Sequence, residues 1–137
     1  MVDLQKILDY RQTCNKFGNY LGVKISEIKI AYAKCELAIR EDFMNPHGTV
    51  HGGVIFTLAD IAAGTAASTY GQACTTLDAH IQFLAAAKKS HVLYCEANEI
   101  KHGKTISVYE TRMTDETGKL ISTGTYTFFN LSTPLIN

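Results

Sequence analysis

The sequence has no tryptophan, only two prolines and no excess charge of either sign. Thirteen Lys and Arg residues balance thirteen Asp and Glu residues, so the formal net charge is zero. Nothing in this charge balance favours a nucleic acid or an anionic membrane as partner. The longest apolar run contains several Gly, Ser and Thr residues and is interrupted by one Asp, which argues against a membrane span. The length of 137 residues predicts one domain over residues 1–137.

Cysteine is scarce, and the N-terminal residues show no secretory-signal pattern. The cysteines are dispersed, with no C-x-x-C pair; they are Cys14, Cys35, Cys74 and Cys95. Reduced thiols of this kind, behind an N-terminus without a basic-then-apolar signal pattern, predict a cytoplasmic protein. His47 and His51 are the only close histidine pair, and no acidic residue accompanies them. We therefore expect no metal and no cofactor.

One long apolar stretch dominates the chain. It runs from Asn45 to Tyr70 as NPHGTVHGGVIFTLADIAAGTAASTY, and its apolar residues recur at helical spacing. A helix without a strongly polar face is typical of a buried position. Asp60 lies in its middle, where an unpaired carboxylate would cost several kcal/mol. Because fold stability gives no reason to keep Asp60, it is the strongest pointer to function.

The remaining chain predicts one more helix and several strands. Asp3 can cap a short amphipathic helix that ends near Gly18. Val23–Arg40 alternates as strand, with a change of phase at Ser26-Glu27 that indicates a bulge or bend. Four further strands are predicted, at Cys74–Ala87, His91–Lys101, Thr105–Thr114 and Leu120–Leu131. The short glycine-containing joints near Gly103 and Gly118 favour antiparallel hairpins. The fold class is therefore α+β, an antiparallel sheet of five or six strands wrapped around one long central helix.

At this level of detail the sequence resembles a known family. Asn45, the His51-Gly52-Gly53 triplet and the Val-Ile-Phe-x-Leu-Ala-Asp run ending at Asp60 are similar to the hotdog-fold acyl-CoA thioesterases. The nearest likeness is to the phenylacetate-catabolism type within the hydroxybenzoyl-CoA thioesterase superfamily. Similarity continues through Thr76-Leu-Asp-Ala-His-Ile-Gln-Phe-Leu and spans roughly residues 20 to 130. The resemblance implies the hotdog fold, an acyl-CoA substrate and hydrolysis of its thioester.

The residues themselves suggest how such a site would work. Gly52 and Gly53 open the central helix, where free N–H groups and the positive end of the helix dipole can polarise a carbonyl. Asp60 would then activate a water or attack the carbonyl itself, and the sequence leaves both open. Thr76, or Thr75 beside it, is a candidate to hydrogen-bond the carboxylate or the water.

Other roles depend on the resemblance or on composition. Asn45 and His51 carry over from the motif as helpers at the carbonyl, and His51 could equally fix the loop through a ring hydrogen bond. Phe83 is a candidate for contact with the acyl group, although an ordinary packing role is as plausible. A basic rim should receive the phosphates of CoA. Its candidate residues are Lys88, Lys89, Lys101 and Lys104.

The spacing of Gly52 and Asp60 also predicts an assembly. Eight residues on one helix separate them by about 12 Å along its axis, too far for one carbonyl to touch both. Two antiparallel central helices in a two-fold dimer would bring Asp60 of one chain to the helix start of the other. We therefore expect a homo-oligomer, a dimer or a homotetramer built as a dimer of dimers. The alternatives are a non-catalytic acyl-thioester sensor and a dehydratase, and the latter would need a catalytic His where Asp60 stands.

Overall fold

The computed structural model describes residues 1–137 and contains three α-helices and six strands. The helices are α1 (Leu4–Cys14), α2 (Lys16–Leu21) and α3 (Gly52–Ser68), and a short 3-10 turn covers Glu41–Phe43. The strands are β1 (Lys24–Lys29), β2 (Tyr32–Ala38), β3 (Gln72–Phe83), β4 (Val92–His102), β5 (Ile106–Asp115) and β6 (Leu120–Pro134).

All six strands form one antiparallel sheet in the order β1-β2-β4-β5-β6-β3. The sheet curls around α3, which packs against every strand. Leu58 and Ala62 of the helix are fully buried against Leu93 and Tyr109 of the sheet. The predicted architecture, a sheet around one long helix with a short N-terminal helix, is confirmed. The hairpins β4–β5 and β5–β6 form at the glycine-containing joints as expected.

The stretch Val23–Arg40 is a hairpin of two strands, which the sequence did not reveal. The chain reverses at Ala31, whose φ of 68° lies in the left-handed region. No glycine or proline marks this turn, so the usual signal for a reversal is missing. The predicted bulge is present, because the register between β1 and β2 shifts between Ile25 and Glu27.

The N-terminal helix is interrupted at Asn15. The side chain of Asn15 accepts a hydrogen bond of 3.0 Å from the Gly18 N–H and so caps a second helix, α2. That second helix continues past the predicted end near Gly18 and stops at Gly22, whose φ is 93°. Asp3 caps α1 as predicted, accepting from the Lys6 N–H at 3.1 Å. No helix combines the length and the apolarity that crossing a bilayer requires.

The burial of α3 differs from the expectation. Its second half is buried throughout, but Gly53, Phe56 and Asp60 form an open face on the first half. These residues are three and four positions apart and so lie on one side of the helix. Asp60 is half-buried rather than buried, because the sheet covers the opposite side.

Candidate active site

The start of α3 is organised by a histidine ring. His51 is the N-cap residue, and its Nδ1 accepts a hydrogen bond of 2.8 Å from the Gly53 N–H. The structure therefore gives His51 the loop-fixing contact that was one of its two predicted roles. Gly53 cannot offer the same N–H to a ligand. The Gly52 N–H has no intrahelical acceptor and no loop or side-chain acceptor, and it is the donor left at the helix start.

Asn45 shapes the loop that leads into the helix. Its Oδ1 accepts from the His47 N–H at 2.9 Å and the Thr49 N–H at 3.1 Å. Its Nδ2 donates to the Thr49 hydroxyl at 2.8 Å. Asn45 also lines a mainly apolar pocket of about 330 Å³ that contains Gly52 and Phe83. Asn45 therefore lies beside the start of α3, but its polar side-chain atoms are engaged by the loop.

Phe83 closes one side of this helix start. A Cβ added at Gly52 would lie 3.2 Å from the Phe83 ring, so the missing side chain lets the ring approach the helix. Phe83 is the last residue of β3, and its side chain is more than half exposed. The structure thus brings Phe83 to the same pocket as Gly52.

Asp60 has a partner on the edge strand of the sheet. The hydroxyl of Thr76 donates a hydrogen bond of 2.7 Å to Oδ1 of Asp60. Thr76 is opposite the buried Phe128 on β6, and the register of β3 shifts between Thr76 and Asp78. This bulge leaves Leu77 exposed while Thr76 meets the helix. The carboxylate keeps its second oxygen, Oδ2, free of any hydrogen bond within the chain.

Two further groups near Asp60 stay in their protonated forms. Burial, followed by the charge of Asp60, raises the pKa of the Tyr126 hydroxyl, which donates to the Phe56 carbonyl at 3.0 Å. Burial also raises the pKa of the Cys74 thiol. A thiol with a raised pKa is a poor nucleophile, since the thiolate is the reactive form. Neither the Tyr126 hydroxyl nor the Cys74 thiol therefore supplies a reactive anion beside Asp60. The structure assembles no group of three or more His, Cys, Asp or Glu side chains that could hold a metal ion.

The predicted basic residues fall into two separate places. Lys88 and Lys89 are exposed beside Ala87, whose carbonyl accepts from the Val50 N–H just before α3. Lys101 lies near the end of β4, and Lys104 lies in the β4–β5 turn that follows. That turn is near the other end of the helix, where Tyr70 stacks on His102. Within one chain the four predicted lysines therefore do not form a single rim.

Sequence reasoning missed three residues around the site. Arg11 and Asn15, from the N-terminal helices, line a pocket that also contains Asp60. Lys119 donates to the Ala86 carbonyl at 2.8 Å, close to the loop before α3. The N-terminal helix was predicted from its amphipathic pattern alone, and that pattern does not place its one arginine beside Asp60.

The geometry defines a class of protein. A six-stranded antiparallel sheet wrapped around one helix is the hotdog fold, and it presents a free N–H at the helix start and a half-buried carboxylate in the helix middle. The solved structure of the PaaI protein from the Escherichia coli phenylacetic acid degradation operon shares this fold with a TM-score of 0.92. It is 21% identical in sequence, with 96% of this chain and 95% of that chain covered.

The sequence comparisons place the chain within that class. Residues 47–122 match the thioesterase superfamily, and the chain belongs to that family. Human acyl-coenzyme A thioesterase 13 is 30% identical over 90% of this chain and 91% of its own length. A hypothetical thioesterase protein from Streptococcus pneumoniae TIGR4, solved with coenzyme A, has a TM-score of 0.78 at 25% identity. That match covers 82% of this chain and 88% of the other. The predicted fold, family and activity class, a thioester hydrolase, are confirmed.

Proposed function

We propose that this protein hydrolyses acyl-CoA thioesters, with Asp60 as the general base or nucleophile and the Gly52 N–H as the donor that polarises the carbonyl. In the general-base route, Asp60 takes a proton from water while the water oxygen bonds to the carbonyl carbon. The oxyanion that forms is stabilised by the helix start. The C–S bond then breaks, the acid is released, and the proton passes to the CoA sulfur.

The observation that carries this proposal is the environment of Asp60. The carboxylate is half-buried on the one face of α3 that the sheet leaves open, and Thr76 holds one of its oxygens at 2.7 Å. Oδ2 remains available for a water or a carbonyl carbon. A structural carboxylate would have both oxygens satisfied by the fold, as Asp115 has in the β5–β6 turn.

The site requires two chains. Gly52 and Asp60 are eight residues apart on α3, or about 12 Å along the axis at about 1.5 Å per residue. One thioester carbonyl cannot contact both groups of the same helix. A two-fold dimer with antiparallel α3 helices would place Asp60 of each chain at the Gly52 of its partner.

The surface around Asp60 supports this dimer. The outer edge of β3 has no neighbouring strand, and an open edge of this length is a natural site of strand pairing. Apolar side chains cluster along this edge and on the open face of α3. They are Phe56, Leu77, Phe83 and Leu84, with exposed fractions of 38% to 60%. A second copy of the chain would cover this apolar surface, which a monomer would leave in water.

The phosphates of CoA would bind to the basic loop beside the helix start, which is the loop that contains Lys88 and Lys89. Lys88 and Lys89 are exposed there, and Lys119 is held nearby through the Ala86 carbonyl. Three ammonium groups in one region suit the phosphates of CoA. Lys104 would take part only as a residue of the second chain, because it lies at the other end of α3. The neighbour solved with coenzyme A supports CoA as the ligand class.

The direct test is release of free thiol from a panel of acyl-CoAs, followed with a thiol reagent. Wild type should hydrolyse at least one aliphatic or aryl ester, and Asp60→Asn should lower turnover by about 10²- to 10⁴-fold, the usual cost of losing a general base. Asp9→Asn is the matched control, because Asp9 is an exposed carboxylate on α1 and lies outside the β3 edge. Tight acyl-CoA binding without thiol release by wild type would favour a sensor instead.

A further inference from the structure

A second pocket adjoins Asp60 on the side away from the helix start. It measures about 190 Å³, and α3 contributes Asp60, Ile61 and Gly64 to its wall. Gly64 lies one turn beyond Asp60, so the pocket extends toward the C-terminal end of the helix. At about 30 Å³ for each water-sized group, it has room for about six such groups. That is the size of a short acyl group and far less than the CoA nucleotide needs.

Arg11 is the only cation in the wall of this pocket. It reaches across from α1, and its Nε donates to the Thr65 hydroxyl at 3.4 Å. The Thr65 hydroxyl is itself bonded to the Ile61 carbonyl at 2.7 Å, which fixes it as an acceptor for Arg11. A Cβ at Gly64 would come within 3.0 Å of Nη2 of Arg11, so the glycine lets the guanidinium lie against the helix.

The rest of the guanidinium has no partner in the chain. Its Nη1 and Nη2 atoms make no hydrogen bond, and Arg11 forms no ion pair with Asp60 or any other carboxylate. A planar guanidinium with both terminal nitrogens free matches a carboxylate bidentately. A purely structural arginine would pair these nitrogens with carbonyls or a carboxylate, as Arg40 does with Asp42 and with the Leu21 carbonyl.

We propose that Arg11 determines acyl specificity, and that the preferred acyl groups are short and end in a carboxylate. The proposal rests on the proposed thioester hydrolysis at Asp60. The thioester carbonyl would lie beside Asp60, the CoA arm would leave toward the basic loop of the second chain, and the acyl end would enter the pocket with Arg11. The carboxylate would bind the free Nη1 and Nη2 atoms.

The test uses two esters of equal shape. Glutaryl-CoA and 5-methylhexanoyl-CoA differ in that the first ends in a carboxylate and the second in two methyl groups. The quantity measured is the ratio of their kcat/KM values. Arg11→Met keeps an unbranched apolar stem but removes the charged guanidinium, and the ratio should fall about 10- to 100-fold, as expected for losing a hydrogen-bonded charge. Arg11→Lys keeps the charge without the planar fork and should give an intermediate ratio.

Lys16→Met is the matched control. Lys16 belongs to α2 and lines a neighbouring pocket with Arg11, but not the one that contains Asp60. The ratio of the two kcat/KM values in Lys16→Met should equal that of wild type. If Arg11→Met lowers kcat/KM equally for both esters, Arg11 is a CoA-binding or packing residue. If neither kcat/KM value changes, Arg11 has no part in specificity. Either result overturns the proposal. If Arg11→Met does not fold, the ratio in Arg11→Lys decides in the same way. Failure of wild type to hydrolyse any CoA ester would instead contradict the proposed function.

Discussion

The Thr76 hydroxyl lies 2.7 Å from Oδ1 of Asp60 and joins the edge strand β3 to the middle of α3. Because a hydrogen bond is directional, this contact orients the carboxylate, and it leaves Oδ2 without a hydrogen bond in the chain. The pair connects the two elements that form the exposed surface around the site. It therefore links the position of the candidate base to the strand edge where a second chain would add.

Removing the Thr76 hydroxyl should impair catalysis more than folding. In Thr76→Val we expect kcat to fall about tenfold, because the carboxylate loses a hydrogen bond of about 1.5 kcal/mol and its fixed orientation. Thr76→Ser should keep most of the activity, since it retains the hydroxyl. The control is Thr125→Val, on β6 and away from Asp60. Equal activity of Thr76→Val and wild type would show that the hydrogen bond has no part in the reaction.

Gly52→Ala should lower turnover with little loss of stability. The added methyl would lie 3.2 Å from the far end of the Phe83 ring, and a shift of that side chain by a few tenths of an ångström would accommodate it. The same methyl would lie beside the free Gly52 N–H, which the thioester carbonyl of the substrate must approach. Kinetics and thermal unfolding on one preparation separate the two effects. Normal activity with a sharp fall in Tm would make Gly52 a turn residue and remove it from the oxyanion site.

A charge on the open edge of β3 should weaken the dimer. Leu77 is 60% exposed in the chain, and Leu77→Lys would place an ammonium where two edges are proposed to meet. Sedimentation velocity should show a smaller species, and activity should fall with it. Ile100→Lys is the control, because Ile100 is 56% exposed on β4, which is not an edge strand. A dimer that persists in Leu77→Lys would exclude β3 pairing.

The β5–β6 turn should give the protein a stability that depends on pH. Hydrogen bonds from Ser90 and then Thr117 lower the pKa of Asp115 from its ordinary 3.8 to about 2. Because the folded pKa lies below the unfolded one, the stabilisation is complete above pH 3.8 and is lost as the pH falls toward 2. Asp115→Asn should therefore have a lower Tm than wild type at pH 7, with a difference that narrows between pH 4 and 2. A Tm difference that stays constant between pH 4 and 2 would show that the Asp115 carboxylate is not the source of this pH dependence.

Much of the fold could be predicted because its signals are local. The helical spacing around Asp60 and the alternation in the last three strands each follow from burial on one face. The β1–β2 turn could not be found, because Ala31 adopts a left-handed conformation without a glycine. The partial exposure of Asp60 was also missed, since an apolar composition does not say whether a sheet or a second chain covers a helix.

The site was predictable where its residues form a contiguous motif. Gly52 and Asp60 lie on one helix, and Thr76 was named, with Thr75, as a hydrogen-bond candidate for the carboxylate. Arg11 was not found, because its place in the same pocket as Asp60 depends on how α1 packs against β1 and α3. Nothing in the spacing of residues so distant in sequence encodes that contact.

Complementation between two inactive variants tests the shared site most directly. Gly52→Val and Asp60→Asn homodimers should each be inactive, because every site has either a helix start blocked by the valine side chain or no carboxylate. A mixed dimer has one site with both changes and one with neither, so it should regain up to about half the activity of a wild-type dimer. Random exchange makes about half of the dimers mixed, and the recovered total should be roughly a quarter of wild type. If no activity returns after subunit exchange has been demonstrated, each chain holds a whole site, and the placement of the carbonyl between Asp60 and a second chain's helix is wrong.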